Sequence, residues 1–289
     1  MNKQDCRIIF LGTPDFAVAS LDAIVQDGWN VVAVVTAPDK PAGRGMKLGQ
    51  SAVKQYALEK NIPVLQPEKL KDPSFMESLR ALKADLQVVV AFRMLPELVW
   101  NMPPLGTINL HGSLLPQYRG AAPINWAIIN GETETGVTTF RLKQEIDTGD
   151  ILLRKSMPIG PDDDFRTVHD RMKEIGARVL VETIQGLCDG SLTPIPQDRV
   201  DMGTLKPAPK IFTDHCSINW QQPVANIHNL VRGLSPVPGA FTMLHGKTLK
   251  IFRSKPLTAG TGVPAGTPES DGKTYLRFAA ADGWLDVLE

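Results

Sequence analysis

The sequence is short of the features that mark several large classes of protein. Its 289 residues include only three cysteines, Cys6, Cys188 and Cys216, with no Cys-x-x-Cys pair, which argues against a zinc-finger or disulfide scaffold and fits a reducing cytoplasm. No stretch approaches the roughly 18 uninterrupted apolar residues of a membrane-spanning helix. The N-terminus leads directly into a predicted strand and leaves no room for a signal peptide. The 31 basic and 31 acidic residues cancel, so the chain is not uniformly basic.

Common nucleotide and metal motifs are missing as well. The turn Gly12-Thr13-Pro14 lacks the second glycine of Gly-x-Gly-x-x-Gly, so it gives little support to a nicotinamide-dependent dehydrogenase, which is one alternative. Thr13 is instead predicted to cap the helix that follows, with Pro14 as its first residue. The five histidines are scattered along the chain, and we expect no metal site.

The first 190 residues alternate between apolar runs of strand length and segments with helical periodicity. The apolar runs predict strands at residues 7–11, 31–36, 86–92, 107–110, 137–141 and 151–157. Continuous apolar strands that alternate with helices are typical of a parallel sheet covered on both faces. We therefore predict an α/β domain over residues 1–190, with a Rossmann-like, doubly wound and mostly parallel sheet.

The composition changes after residue 190. Residues 191–209 contain four prolines and few candidates for a core, so we predict a linker there. Residues 210–289 carry short strand-like pieces between Gly/Pro turns, which predicts a smaller β-rich domain, an OB-like barrel. The sequence stops within the apolar run 284–289, and we expect a truncated form because a domain rarely ends inside a strand.

The strand predicted near residue 107 ends in residues that can carry chemistry. Asn109 and His111 are two apart, so on an extended strand both side chains face the same side. Open α/β sheets bind ligands beyond the carboxyl ends of their strands. An amide donor and an imidazole would thus share one crevice, although an isolated Asn-x-His can also simply cap a strand. An acidic turn at residues 145–150 could reach the same crevice and orient His111, or it could be a solvated loop.

These residues occur within four motifs that resemble the folate-dependent formyltransferases. The motifs are Gly12-Thr13-Pro14-Asp15-Phe16, the loop 38–48 (PDKPAGRGMKL), residues 111–124 (HGSLLPQYRGAAPI) and Asp147-Thr148-Gly149-Asp150. The resemblance covers nearly the whole chain, including its C-terminal part. Within the family, the motifs are most similar to the enzymes that formylate methionyl-tRNA.

The resemblance implies formyl transfer from 10-formyltetrahydrofolate to the α-amine of methionine on initiator tRNA, without a metal. It assigns catalytic roles to Asn109, His111 and Asp147, with His111 acting either as a general acid–base or as a cationic donor to the oxyanion. Compared with the family, the segment 92–96 is shorter and carries an arginine, which bears on the shape of the pterin pocket. Folate contacts are implied for Ser113, Leu114, Leu115 and Pro116.

The neutral total hides an uneven distribution of charge. Residues 206–255 contain seven basic residues and one acid, and residues 38–54 contain four basic residues and one acid. A solvated basic face would give the same counts, but contacts with tRNA phosphates explain them better. The resemblance places Arg44 at the tip of the loop that contacts the acceptor end of the tRNA. The predicted tRNA-binding residues are Arg44, Lys47, Lys206, Lys210, Lys247 and Lys250.

Two further alternatives stay open. A formyltransferase acting on glycinamide ribonucleotide or an amino sugar would share the catalytic core, although the glycinamide enzymes resemble only the first domain. A non-catalytic folate- or RNA-binding module would not need Asn109, His111 and Asp147 together. We also expect the protein to be a monomer.

Overall fold

The computed structural model describes residues 1–42 and 47–289. Apolar runs of the first half form strands, and the intervening amphipathic segments form helices. In chain order these elements are β1 (Arg7–Gly12), α1 (Asp15–Gln26), β2 (Asn30–Val35), β3 (Lys40–Ala42), β4 (Lys47–Gly49), α2 (Ala52–Glu59), β5 (Val64–Leu65), α3 (Pro73–Ala81), β6 (Leu86–Val90), α4 (Glu97–Trp100), β7 (Thr107–His111), α5 (Pro123–Ile129), β8 (Glu134–Arg141), β9 (Ile151–Pro158) and α6 (Phe165–Asp189).

Seven of these strands form one sheet in the order β5-β2-β1-β6-β7-β8-β9. The five strands from β5 to β7 are parallel, and β8 runs antiparallel to β7. Residues 8–11 of β1 are all fully buried, and because successive side chains point to opposite faces, both faces of the sheet are covered. Ile9 and Leu11 of β1 pack in one cluster with Phe75 and Leu79 of α3. The prediction of a Rossmann-like, mostly parallel sheet is confirmed.

The start of α1 differs from the prediction that Thr13 caps it. Pro14 occupies the cap position with an extended backbone, φ −79° and ψ 175°, and makes no side-chain cap hydrogen bond. The Ala17 amide donates to the Pro14 carbonyl at 3.0 Å, so Thr13 lies one residue too early to cap the helix. A Cβ on Gly12 would lie 2.8 Å from the Ala17 Cβ and 3.0 Å from the Val90 carbonyl oxygen, so glycine permits this close turn.

The C-terminal part contains one helix and six short strands. A 3-10 turn at Gln197–Arg199 and another at Thr213–Cys216 precede α7 (Val224–Leu234), β10 (Ala240–Leu244), β11 (Lys247–Ile251), β12 (Ser254–Leu257), β13 (Pro268–Ser270), β14 (Leu276–Ala279) and β15 (Trp284–Val287). Strands β12-β15-β14-β13 form an antiparallel sheet, and β10 pairs with β11 in a hairpin. The prediction of a smaller β-rich C-terminal domain is confirmed.

Helix α7 supplies the core of this β-rich part. Its apolar residues Val224, Ile227, Val231 and Leu234 recur at intervals of three and four residues, and all are buried in one cluster. The helix packs against α5, β10, β12 and β15. The periodicity of α7 thus selects the face that meets the strands.

Contacts divide the chain into two units. The first comprises Met1–Pro116, Gly136–Ser156 and Asp170–Thr204, and the second comprises Gln117–Thr135, Met157–His169 and Leu205–Glu289. The second unit therefore includes two stretches from within residues 1–190. The division into residues 1–190, 191–209 and 210–289 stays a prediction. No helix in the described part of the chain is long and apolar enough to cross a membrane.

We predict that Ser51→Ala lowers the free energy of unfolding by about 1–2 kcal/mol. The Ser51 hydroxyl caps α2 by accepting from the Lys54 amide at 3.1 Å, and it also pairs with the fully buried Thr36 hydroxyl at 2.7 Å. Urea unfolding measures the change. Ser78→Ala is the matched control, because the Ser78 hydroxyl only donates to the Ser74 carbonyl on an exposed helix face. Equal losses in the two variants would contradict the capping role.

Candidate active site

The strand order defines one edge of the sheet as the place for a ligand. The chain proceeds from β1 outward to β2 and β5, and then from β6 to β7 on the other side of β1. The order thus reverses between β1 and β6, the position at which open α/β sheets bind ligands beyond the carboxyl ends of their strands. Because these strands are parallel, Gly12, Val90 and His111 end β1, β6 and β7 at the same edge.

Strand β7 carries the predicted Asn109 and His111 to this edge. Asn109 pairs with Val89 of β6 and Phe140 of β8, and its side chain is half-buried. His111 is 7% exposed, and its ring meets the Phe140 ring edge-on, with centroids 6.4 Å apart and planes at 84°. The strand and the Phe140 ring therefore restrict the orientation of the imidazole.

Asp147 is brought to His111 by the turn between β8 and β9. Its Oδ2 lies 3.8 Å from the His111 Nδ1, and the two side chains are 13% and 8% exposed. This distance exceeds a hydrogen bond but places the carboxylate where it attracts positive charge on the imidazole. The structure thus places two of the three predicted catalytic side chains together, away from most of the solvent.

The backbone of this turn is tightly constrained. Asp147 has φ +55°, the left-handed conformation that non-glycine residues rarely adopt. A Cβ on Gly149 would lie 1.6 Å from the carbonyl oxygen of Arg141, so only glycine fits there. The turn is therefore held against the end of β8.

Gln197 also holds this turn, although no pattern in the sequence predicts such a role. It lies in the 3-10 turn Gln197–Arg199, within the predicted linker, yet it is only 5% exposed. Its Nε2 donates to the carbonyls of Asp147 and Gly149, both at 2.8 Å. No sequence signal separates Gln197 from Asp198 and Arg199, its exposed polar neighbours.

Residues 6–184 match the family model of the formyl transferases, and residues 210–289 match the model of the formyl transferase C-terminal domain. The chain belongs to the formyl transferase family. It is 58% identical to the methionyl-tRNA formyltransferase of Parabacteroides distasonis, with 99% of this chain and 90% of the relative covered. It is 53% identical to the methionyl-tRNA formyltransferase of Bacteroides fragilis, with 100% of this chain and 91% of the relative covered.

Two solved structures share the fold of this formyl transferase. The sugar 3N-formyl transferase WlaRD, crystallised with dTDP and 5-N-formyl-THF, matches with a TM-score of 0.73 at 20% identity, covering 98% of this chain and 96% of that one. The N-formyltransferase of Helicobacter canadensis, in complex with folinic acid and dTDP-3-aminofucose, matches with a TM-score of 0.73 at 21% identity, covering 98% of each chain. At these identities the likeness establishes the fold alone.

The predicted folate segment of the formyl transferase lies directly after His111. Ser113, Leu115 and Pro116 are buried, and Leu114 is half-buried. Leu115 packs in a cluster with Phe140 and Ile151. Leu114 is therefore the most accessible residue of the four. These four contacts stay predictions.

The arginine of segment 92–96, which follows β6, bonds within the fold. Arg93 Nη1 donates to the Glu68 carbonyl at 2.8 Å, and its Nη2 donates to the Pro67 carbonyl. The guanidinium also lies over the Phe92 ring, 5.8 Å from the centroid. Arg93 therefore anchors the segment 92–96 to the segment after β5.

The predicted tRNA-binding lysines of the C-terminal part differ in their surroundings. Lys247 is exposed on β11, the Lys210 ammonium lies 5.5 Å from the Phe212 ring centroid, and the Lys250 ammonium donates to the Pro238 carbonyl at 2.8 Å. Each of these three keeps its net charge available to a phosphate. Lys206 instead forms an ion pair with Glu132 at 2.7 Å, which makes it the weakest of the four as a phosphate ligand.

The basic loop of the first unit is only partly described. Arg44 lies outside the described residues. Lys47 begins the short strand β4, which pairs with β3. Both assignments to the tRNA interface stay predictions. Within residues 1–42 and 47–289, no group of three or more His, Cys, Asp or Glu side chains is arranged to hold a metal ion.

We predict that Thr138→Val raises the KM for the formyl-folate and lowers the free energy of unfolding by about 1–3 kcal/mol. The Thr138 hydroxyl is fully buried, donates to the Ser113 carbonyl at 2.7 Å and accepts from the Leu115 amide at 3.0 Å. Valine has nearly the same shape but leaves both backbone groups without this partner. Steady-state kinetics and urea unfolding measure the two effects.

Thr138→Ser retains the hydroxyl and is the control for this prediction. We expect its KM to stay within about twofold of the wild-type value, because the bridge between Ser113 and Leu115 can still form. Equal KM values in the valine and serine variants would show that the hydroxyl does not support folate binding.

Proposed function

We propose that the protein transfers the formyl group of 10-formyltetrahydrofolate to the α-amino group of methionine on initiator methionyl-tRNA. The observation that carries the proposal is the position of Asp147, whose Oδ2 lies 3.8 Å from the His111 Nδ1 at the carboxyl edge of the sheet. Asn109 lies two residues before His111 on the same strand. The whole-chain relatives at 53–58% identity are methionyl-tRNA formyltransferases. Family membership and these relatives support the formyl donor, the acceptor and the use in translation initiation.

The reaction is an acyl transfer between two nitrogens. The neutral α-amine attacks the formyl carbon, the new C–N bond forms, and the carbonyl oxygen becomes an oxyanion. The bond from that carbon to N10 then breaks, the amine nitrogen loses a proton, and N10 gains one. The products are formyl-methionyl-tRNA and tetrahydrofolate.

Three side chains match these demands. Asn109 can donate from its amide Nδ2 to the oxyanion, a contribution that is typically worth about 10²–10³ in rate. His111 can take the amine proton and return it to N10, or it can donate to the oxyanion as a cation. In both roles the Asp147 carboxylate, 3.8 Å away, would attract positive charge on the imidazole.

We further propose that the C-terminal part binds the tRNA through its basic residues. Residues 206–255 hold seven basic residues and one acid, and Lys210, Lys247 and Lys250 are exposed. Exposed lysines neutralise phosphates without reading sequence. We place the protein in the cytoplasm, because charged initiator tRNA is found there, and we expect it to be a monomer. Size-exclusion chromatography with light scattering tests the monomer.

The proposed function is tested by offering several acceptors together with 10-formyltetrahydrofolate. We expect formyl-methionine to appear on charged initiator tRNA, with little formylation of glycinamide ribonucleotide or a dTDP-linked amino sugar. Preferential formylation of either small molecule would show that methionyl-tRNA is not the acceptor. Binding of folate and tRNA without turnover would indicate a non-catalytic module.

We predict that Asn109→Ala lowers the single-turnover rate about 10²–10³-fold. His111→Ala and Asp147→Ala are each expected to lose at least about 10²-fold, while all three variants unfold at the wild-type urea midpoint within experimental error. Rapid-quench formylation of methionyl-tRNA measures the rates. A variant with near-wild-type turnover would remove that residue from the catalytic group.

His111→Gln separates the two roles left open for the imidazole. Glutamine can donate a hydrogen bond to the oxyanion but cannot carry a proton between the two nitrogens. A rate close to that of His111→Ala assigns general acid–base catalysis. Recovery of most of the activity assigns oxyanion stabilisation.

We predict that the triple variant Lys210→Ala, Lys247→Ala, Lys250→Ala binds tRNA less tightly and with a weaker salt dependence. Each lost phosphate contact should reduce the slope of log K against log salt concentration by roughly 0.7–0.9. Fluorescence titration between low and moderate salt measures the slope. Lys60→Ala, Lys69→Ala, Lys71→Ala removes the same charge from exposed positions of the first unit and is the control. Equal slopes in the two triple variants would exclude the C-terminal lysines from the interface.

A further inference from the structure

We infer that Gln197 is a positioning residue for Asp147, so that turnover depends on a side chain from the proline-rich segment after α6. The inference rests on the proposed function, because it assigns Gln197 a role in presenting the catalytic carboxylate. Gln197 is 5% exposed, and its Nε2 donates two hydrogen bonds to the turn that carries Asp147.

The path of the chain explains why this turn needs external support. Strand β8 ends at Arg141, which pairs with Ile108 on β7. His111 lies three residues further along β7, a distance of about 10 Å. The turn must therefore fold back along the sheet to bring the Asp147 carboxylate within 3.8 Å of the His111 imidazole. A turn that relaxed outward would carry the carboxylate away from the imidazole.

The backbone of the turn is closed at its base and left-handed at Asp147. The Arg141 amide donates to the Asp150 carbonyl at 3.0 Å, which closes the base. Asp147 has φ +55°, a region that aspartate enters more readily than most residues but that its surroundings must still support. Gly149 permits the turn to lie against the Arg141 carbonyl, but a glycine cannot itself prevent the turn from opening.

Gln197 adds two hydrogen bonds to the turn from a segment outside it. A glutamine amide has two N–H donors on one nitrogen, and here both go to carbonyls two residues apart, those of Asp147 and Gly149. The pair of hydrogen bonds fixes the residues on either side of Thr148. Burial strengthens these bonds and makes the loss of their donor costly.

Gln197 is itself held by the fold. Ile195, two residues earlier, exchanges two backbone hydrogen bonds of 2.8 Å with Ile151 at the start of β9. The Val200 amide then donates to the Gln197 carbonyl at 3.2 Å. The glutamine thus extends from a segment attached to the same strand that the turn leads into.

The test uses three substitutions of Gln197. Gln197→Met keeps the approximate length but removes both donors, and Gln197→Glu keeps the shape but directs a carboxylate at two carbonyls. We expect kcat to fall about 10–100-fold in both, with KM for either substrate within about twofold of wild type. Gln197→Asn keeps the amide on a shorter stem and should lie between these variants and the wild type. Asp198→Ala, at the exposed neighbour, should match the wild type.

A double-mutant cycle distinguishes positioning from a general structural role. If Gln197 acts through Asp147, the effect of Gln197→Met on kcat shrinks to about twofold or less when Asp147 is already asparagine. Multiplying effects in the double variant would overturn the inference. Unchanged kcat in both Gln197→Met and Gln197→Glu would also overturn it.

Hydrogen exchange gives a readout that does not depend on turnover. We expect faster amide exchange across residues 143–150 in Gln197→Met, with α6 exchanging as in the wild type. If the wild-type protein failed to formylate methionyl-tRNA, the proposed function would fall, while the exchange data would still decide whether Gln197 holds the turn. Unchanged exchange in residues 143–150 would reject the inference even in an active enzyme.

Discussion

The candidate active site depends on a carboxylate that is largely removed from water and lies 3.8 Å from a buried imidazole. A largely buried carboxylate is unfavourable unless polar groups compensate for the lost water, so Asp147 needs polar neighbours and a fixed position. His111 is one of these neighbours. The position of Asp147 is set by its turn, where Gly149 leaves no room for a side chain. Gln197, from outside the turn, donates to two of its carbonyls. Geometry rather than any single strong bond therefore maintains the contact.

Strand β8 contacts both the predicted folate segment and the turn that carries Asp147. Thr138 pairs with His111 across β7 and β8, and its hydroxyl bridges the backbone of Ser113 and Leu115. At the other end of the strand, the Arg141 carbonyl meets Gly149. One antiparallel strand thus contacts both the predicted folate segment and the turn that carries Asp147. The reversal of strand direction after β7 makes these contacts possible.

Local patterns predicted the sheet and the positions of two candidate catalytic residues on it. Asn109 and His111 could be placed on one side of a strand because side chains alternate, and the apolar runs fixed the strand itself. The sequence could not reveal Gln197 or the ion pair of Lys206 with Glu132, since these contacts join residues about 50 and 74 positions apart. It also misplaced the helix cap at Thr13, because Pro14 can occupy either the cap or the first helical position. Sequence periodicity predicts neither contacts between distant residues nor the exact residue at which a helix begins.

The choice of acceptor has to reside in side chains rather than in the fold. Sugar N-formyltransferases align with 98% of this chain, so a β-rich C-terminal part does not by itself distinguish tRNA from a small amine. It separates the chain only from enzymes that lack this part. What distinguishes a polyanion from a nucleotide sugar is the number of phosphates that can be neutralised. Of the seven basic residues in 206–255, Arg232 is buried and Lys206 is paired with Glu132, which leaves five exposed. A chain with no net charge can still bind tRNA when its basic residues are gathered in this way, because screening confines each charge to its own surroundings.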